Sequence, residues 1–479
     1  MKKAPPPRGH LLRACGGLLA ALSLLVFLLW TFLVDPLDET PLLGSAAARE
    51  TEQLLADEAA RLARAPVERG RLQAGWAARD ITPPLGAPTY GYGARRGRGV
   101  ERVADPVSVR AIALRAGSGP PVVLLSADLC LWVSDVSAAI ARAVADFLPR
   151  RRLYFAATHD HSAPGGYADG PAAAIAMGAR RPALVSALVK QSAAAVRAAL
   201  ADLAPAALRH ASAPAPQFVR NRTRRGVPLD DELTLLELRK NTGERAALVT
   251  YSAHATVVGS GLLVCSADYP GALRRRLEAK GYALAVFCAG STGQAGPVPP
   301  AEARGADDLL RARRLGEALA DRVLALARGN QAPFEEEPLL ASFRAPLRVA
   351  GYRWPQLGGM LNPKLTAWLV GYPTPPVWIH ALRVGEAVYV GHSFEFSSVL
   401  ARRLGDRARG RGQRLVLTSF NGDHNLYVVP PALWGEGYEA GMTLYGPGLG
   451  PYLERITQQV ADFLASGPPF APPNFDLSR

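Results

Sequence analysis

Cysteine and histidine are scarce in this chain, and each scarcity narrows its chemistry. Four cysteines, Cys15, Cys130, Cys265 and Cys288, stand in 479 residues. No Cys-x-x-Cys pair occurs, which excludes a structural zinc knuckle. Cys15 lies near the start of an apolar run and not after it, a poor place for lipidation. The other three sit among apolar neighbours, as small buried residues do, and a Cys265–Cys288 disulfide stays open. Acid is also short: 55 Lys and Arg against 41 Asp and Glu leave a net charge of +14. Such a balance suits nucleic acid, but no nucleic-acid motif accompanies it, so no nucleic-acid partner is expected. A solvated basic face, or attraction to anionic lipid headgroups, accounts for the excess. Residues 72–465 hold no internal repeat and no long low-complexity linker, so they read as one domain. A hydrophobic content of 49% with 20% charge describes a globular chain.

One long apolar run is present, at residues 11–34, with Arg13 near its start. That length spans a bilayer. Lys2, Lys3 and Arg8 precede it, which places the N-terminus in the cytoplasm. A cleaved signal peptide has a shorter apolar core with a small-residue site directly after it. Here Trp30-Thr31-Phe32 lead into Asp35-Pro36, and the first alanine-rich site, Ala46-Ala47-Ala48, comes later. The expectation is an uncleaved anchor with the bulk of the chain periplasmic or extracellular. The organisation is then a basic N-terminus (1–10), a transmembrane signal anchor (11–34), a stalk or linker (35–71), the globular domain (72–465) and a Pro-rich tail (466–479). Within the linker, Leu55, Ala59 and Leu62 form one helical stripe. It marks either a stalk helix or the first packed helix.

Against eight histidines in the whole chain, His159 and His161 stand out, one residue apart. An apolar run, 153–157, leads in and Pro164-Gly165-Gly166 leads out, the pattern of a buried strand entering a loop. Residues i and i+2 of a strand share a face, so both imidazoles are expected to face one site. Neutral imidazole is the commonest metal ligand, and zinc suits it. Strands are also expected at 107–114, 122–127, 233–239, 246–251, 283–288, 387–390 and 415–420, with helices at 136–147, 172–203, 396–404 and 453–464. That order predicts an α/β fold with a mixed β-sheet and a metal site at the carboxyl ends of the strands. His254 follows one strand end, Glu395 another, and the stretches 289–297 and 421–427 follow two more. Glu395 is either a first-turn helix acid or a metal ligand. Arg222, in the basic loop 218–226, is either solvated or a clamp for an anion or carbonyl. Asp268 reads as a helix N-terminal acid, Asp80 and Asp128 as turn residues, and His210, His380 and His392 as structural.

The ordered set of motifs resembles the neutral/alkaline, non-lysosomal ceramidase family. Asp80-Ile81-Thr82-Pro83 with Gly91-Tyr92-Gly93 looks like its opening strand and loop. Thr158-His159-Asp160-His161-Ser162 with Pro164-Gly165-Gly166 is similar to its Thr-His-x-His-Ser-x-Pro-Gly segment. Asn221-Arg222 resembles its Asn-Arg pair, and His254 stands where its second metal histidine does. Glu395-Phe396 with Arg402-Arg403-Leu404 is similar to its Gly-Glu-Phe…Arg-Arg-Leu turn, with Phe394 in place of the glycine. Tyr438-Glu439 with Thr443-Leu444-Tyr445-Gly446-Pro447 resembles its Tyr-Glu…Ser-Thr-Leu-Tyr-Gly-Pro run. The likeness covers about residues 72–460 and has no counterpart of the family's C-terminal immunoglobulin-like domain.

The resemblance implies a zinc-dependent amidase that cleaves the N-acyl bond of ceramide or a related lipid, with one zinc per chain. It implies metal ligands His159, His254, Glu395 and Tyr427, with His424 a rival to Tyr427. It implies His161 as an orienting or proton-transferring group, and Arg222 and Tyr438 as substrate contacts or charge stabilisers. One departure bears on mechanism. The family's nucleophile-like serine lies in a Gly-Asp-x-Ser-Pro segment, which here reads Gly293-Gln294-Ala295-Gly296-Pro297, with Gly296 at the serine's place. Ser291 is near but not equivalent. Attack by water, with His161 as acid and base, survives this loss. A zinc hydrolase of another amide or ester, and a non-catalytic lipid- or partner-binding relative, are the alternatives.

Overall fold

Unbroken apolar runs mark the strands at the centre of the chain. Every residue of Val122–Ala127, Leu153–Ala157 and Leu284–Ala289 is buried, as strands covered on both faces are. The structure, a computed structural model, describes residues 8–35, 40–349, 354–356, 359–371, 377–470 and 473–478. Lys2 and Lys3 of the basic N-terminus, and residues 471, 472 and 479 of the Pro-rich tail, lie outside the described residues.

Eight strands form one sheet: β1 (Leu72–Asp80), β2 (Ser108–Ala116), β3 (Val122–Ala127), β4 (Leu153–Ala157), β5 (Ala204–Pro214), β6 (Glu232–Lys240), β7 (Arg245–Tyr251) and β8 (Leu284–Ala289). Their order is β8-β7-β6-β5-β1-β2-β3-β4. The β3–β4 and β7–β8 pairs are parallel and the others antiparallel, so the sheet is mixed. A second sheet runs β9 (Leu340–Leu347), β10 (Val377–Val384), β11 (Ala387–His392), β12 (Arg414–Thr418), with β11 and β12 parallel.

The two sheets pack face to face. Ile112, Leu124, Tyr154 and Leu248 of the first meet Leu382, Tyr389 and Val416 of the second in one apolar layer. Alternate residues point the other way, to helices. Val109, Val123 and Phe155 meet α3 (Ser134–Ala143) and α4 (Pro182–Ala201). Leu235, Val249 and Phe287 meet α5 (Asp268–Ala279) and α6 (Asp308–Gly329). Ile379 and Val390 meet α2 (Ala46–Arg64), α7 (Ser398–Gly410) and α8 (Leu449–Ser466). The period of two along each strand thus yields four layers, helix–sheet–sheet–helix.

Three strands and a helix fall where the sequence pattern gave no signal. Strand β5 reads Ala-Pro-Ala-Ala-Leu-Arg-His-Ala-Ser-Ala-Pro, poor in β-branched residues, yet it is central. Pairing on both sides overrides its weak propensity. Strands β9 and β10 and helix α6 were likewise unmarked. Helix α2 buries Ala48, Leu55, Ala59 and Leu62 against the β9 side of the core, so the stripe in the linker is a packed helix. The three buried cysteines are free thiols, and Cys265 and Cys288 are not joined.

The N-terminal helix α1 (Arg8–Leu33) is long and apolar enough to cross a membrane, and none of Cys15–Leu33 is buried. Helix α4 passes the same length test, but it packs into the core through Leu188 and Val196.

Candidate metal centre and active-site cavity

Loops from both sheets meet at the carboxyl ends of β4, β7 and β11. Backbone bridges knit them: Asp160 to Ala255, Gly293 to Ser397 and Glu395 to Tyr427. Among the described residues six non-glycine residues have positive φ, and five of them, His159, Asp268, Gln294, Phe420 and Leu426, lie in these strand-end loops. Such conformations cost free energy and persist where the surroundings fix them. His159 is one of them, at φ 58°. Strand β4 stops at Ala157, so His159 and His161 do not share a face by strand alternation. The turned backbone of His159 brings both rings to one cavity instead, with their Nε2 atoms 3.3 Å apart.

That cavity, about 480 Å³, is lined by His159, His161, His254, Glu395, Arg222, Tyr427, His424 and Tyr438 among others. At its floor the Nε2 of His254 lies 2.6 Å from Glu395 Oε1, and the Nε2 of His159 lies 3.5 Å from the same oxygen. All three groups are buried and their ligand atoms lie within 4.8 Å of one another. The tautomers follow from the outer nitrogens. His159 Nδ1 is 2.7 Å from the Cys130 carbonyl and His254 Nδ1 is 3.0 Å from the Ala295 carbonyl. A carbonyl only accepts, so each Nδ1 carries the proton and each neutral ring turns an Nε2 lone pair inward. Glu395 Oε1 accordingly has no hydrogen-bond partner despite its close neighbours.

Electrostatics fix the protonation states. Burial, with the charge of Arg222, pushes His254 down to about 4. Burial and the neighbouring imidazoles push His161 well below its ordinary value. With each Nδ1 proton committed to a carbonyl, a carboxylate and two imidazole lone pairs face one another. That is the donor set of a cation site. Zn–N and Zn–O bonds of about 2.0–2.2 Å in tetrahedral geometry separate ligand atoms by about 3.3–3.6 Å. The His159–Glu395 spacing of 3.5 Å matches, and the His254 pair is tighter.

Arg222 closes one side. Its Nε donates to Glu439 Oε1 at 2.6 Å, and its Nη2 stands 3.1 Å from His254 Nε2 and 3.2 Å from the Tyr427 hydroxyl. Burial opposes its charge, but Tyr427, Glu395 and Glu439 hold its pKa above the ordinary value. Tyr427 thus reaches the cluster through Glu395 on the backbone and Arg222 on the side chain. His424 lines the cavity with a buried, unpartnered Nε2, but it stands outside the His159–His254–Glu395 group. Tyr438 sits at the mouth, 64% exposed, edge-on to Tyr427. His161 packs edge-on to Tyr92. Gly91 allows this: a Cβ there would meet the His161 ring at 2.5 Å, and its φ is +114°.

The segment 293–297 has a different part. Neither Ser291 nor Gly296 lines the cavity. The strand Ala295–Pro297 pairs with Val219–Asn221, the Ala295 carbonyl accepts a hydrogen bond from His254 Nδ1, and the Gln294 carbonyl accepts one from the Arg222 amide. It holds two site residues by its backbone. Glu439 and the Cys130 and Ala295 carbonyls are site groups that the sequence did not mark. The Tyr-Glu pair of the motif was the only pointer to Glu439. Asp268 accepts from the Val258 and Tyr269 amides, as a helix N-terminal acid does. Asp80 accepts from Thr82, and Asp128 pairs with Arg274. His210, His380 and His392 bond to Val384, Arg151 and Thr457 away from the cavity.

Against solved structures, the chain superposes on a crystal structure of neutral ceramidase from Pseudomonas aeruginosa with TM-score 0.71. The two are 20% identical, over 83% of this chain and 75% of that one. The fold is neutral ceramidase-like. A second structure, described as a ceramidase complexed with C2, gives the same TM-score, identity and coverage. No protein-family model matches the chain, and no curated protein does. The ceramidase-like architecture is what brings the ends of β4, β7 and β11 to one cavity.

Proposed function

We propose that the chain is a zinc-dependent hydrolase that cleaves the N-acyl amide bond of ceramide or a related lipid, with one zinc per chain. The ceramidase-like fold supports the reaction class. The observation that carries the reading is the trio of inward lone pairs on His159 Nε2, His254 Nε2 and Glu395 Oε1. Tyr427 is the fourth ligand in this reading, which makes the nitrogen and oxygen donor set that zinc accepts. Zinc, when bound, supplies Lewis acidity to an amide carbonyl and lowers the pKa of water to about 7.

The chain's own residues do the rest. Arg222, fixed by Glu439, presents Nη2 to negative charge that develops on the carbonyl oxygen. His161, neutral and held by Tyr92, takes a proton from the attacking water and passes it to the departing amine. The C–N bond breaks, the acyl group leaves as a fatty acid and the amine leaves as the sphingoid base. Tyr438 contacts the substrate at the entrance.

The mouth of the cavity supports a lipid substrate. Ile175 and Trp368 are 73% and 63% exposed on the short helices Pro171–Met177 and Pro363–Val370, which pack together. Met177, at the end of the first, lines the cavity. Asn362, which caps the second, donates to the Leu33 and Phe32 carbonyls at the end of α1. The cavity entrance and the apolar helix are therefore neighbours. In this reading residues 11–34 anchor an extracytoplasmic catalytic domain, residues 72–465, which draws its substrate from the same bilayer.

Gly296 favours a second substrate reading, in which the same centre hydrolyses another amide or an ester. Purified, zinc-supplied protein incubated with ceramide labelled in its acyl chain distinguishes them. Release of labelled fatty acid is expected. Release from other N-acyl amines or esters alone moves the substrate, and no release from any of them contradicts a hydrolase.

A further inference from the structure

A second cavity, about 470 Å³, lies behind the strand-end loop 421–423 and is unrelated to the metal centre's chemistry. Asn421, Gly422 and Asp423 form one wall, while the next residue, His424, lines the other cavity. Three arginines line it, Arg142, Arg150 and Arg344. Arg150 donates one Nη1 proton to the Leu153 carbonyl at 2.7 Å and stacks over Phe155 at 4.6 Å. Arg344 stacks over Trp378 at 3.5 Å, and its buried Nε has no hydrogen-bond partner. Neither guanidinium makes a salt bridge among the described residues, although Asp423 attracts Arg150 and Glu58 attracts Arg344 at longer range.

Of the buried arginines, Arg152 and Arg274 face a carboxylate, whereas Arg95 is held by carbonyls and hydroxyls. Burial pulls Arg150 down to about 10, and burial with the charge of Arg150 pulls Arg344 to about 9. The wall's one acid, Asp423, is bound to the His424 amide and pushed up by burial to about 7. Two like charges are thus partly withdrawn from water and repel one another, which is costly unless an anion joins them. A guanidinium matches a carboxylate or phosphate with paired N–H bonds. Helix α3 contributes Ala138 and Ala141, together with Ser134, Ser137 and Arg142, and β10 contributes Trp378.

We propose that this cavity binds the carboxylate or phosphate head of an amphiphile between Arg150 and Arg344, with the apolar tail along Ala138, Ala141 and Trp378. The site does not depend on the hydrolase reading. The test is calorimetric titration of the full-length protein in neutral detergent, at constant ionic strength. The probes are sodium decanoate, dihexanoyl phosphatidic acid and inorganic phosphate.

Saturable binding of an amphiphile is expected, and the arm that saturates tells a free fatty acid from a lipid phosphate. Arg344→Gln should weaken it about tenfold or more, the value of a lost charge-assisted bond. Ala138→Phe should block the tail's path while leaving both charges. Inorganic phosphate binding as tightly as either amphiphile overturns the tail contact. No saturable binding by the wild type overturns the site. So does unchanged affinity in Ala138→Phe with a wild-type melting curve, whether or not Arg344→Gln folds.

Discussion

The Nε2 of His254 lies 2.6 Å from Glu395 Oε1, and neither atom supplies a proton to the other. The His254 proton is on the far nitrogen, committed to the Ala295 carbonyl. A buried pair of acceptors held this close is a site that waits for positive charge.

Glu395→Gln should therefore do two things at once. It removes the anionic ligand, so bound zinc falls to background. It also gives His254 Nε2 an N–H donor in place of an acceptor. In the presence of a chelator the variant should be more stable than the equally metal-free wild type, by about 1–3 kcal/mol. Chemical denaturation of both proteins in chelator measures this. A metal-free wild type that is the more stable of the two contradicts the lone-pair arrangement.

Glu439 is buried and bonded to Arg222 Nε and Thr223 Oγ1. Glu439→Gln keeps its shape and removes its charge, so Arg222 loses its anchor. kcat/KM should fall about tenfold to a hundredfold with zinc content unchanged. Loss of zinc in this variant would mean that Arg222 and Glu439 support the ligands and not the substrate.

Ser291 is buried outside the cavity, and its hydroxyl has no partner. Ser291→Ala should leave turnover nearly intact. Gly296→Ser should be tolerated, because a Cβ there meets Arg220 and Arg222 only at 3.7 Å or beyond. A large loss of turnover in Ser291→Ala would place the nucleophile elsewhere than water.

Asp268 gives a pH dependence with a defined sign. Burial pushes its carboxyl up to about 6 from 3.8. A raised acid means that the folded state holds the proton more tightly than the unfolded one. Its contribution to stability is present below pH 4 and is lost as pH rises through about 6. Asp268→Asn keeps one of its two amide bonds and suits the positive φ of 44°. The variant should be less stable than wild type at pH 5, and the gap should close by about 1.4 kcal/mol by pH 8. A gap that is constant across this range contradicts the buried carboxyl's role.

Much of the site was legible because its residue types are rare. With eight histidines to place, the arrival of His159, His161 and His254 at strand ends narrowed the search. Glu395 followed from its place after β11. The reason His159 and His161 meet was not legible. It lies in the positive φ of His159, which no local pattern encodes. Arg222 looked like one arginine of a basic loop, and only the fold brings it to Glu439, 217 positions on. The role of residues 294–297 is carried by carbonyls, which every residue has, so composition could not reveal it. The mixed sheet was foreseen from its apolar runs, but β5 was missed because alanine and proline carry no strand signal, and neighbours on both sides hold it in place.

The most direct test is the zinc content of the purified full-length protein, measured for wild type and for His254→Ala in parallel. One zinc per wild-type chain, with background zinc in a His254→Ala protein whose circular dichroism is unchanged, is the expected result. Full occupancy in both proteins, or no zinc in either, contradicts a metal centre at His159, His254 and Glu395.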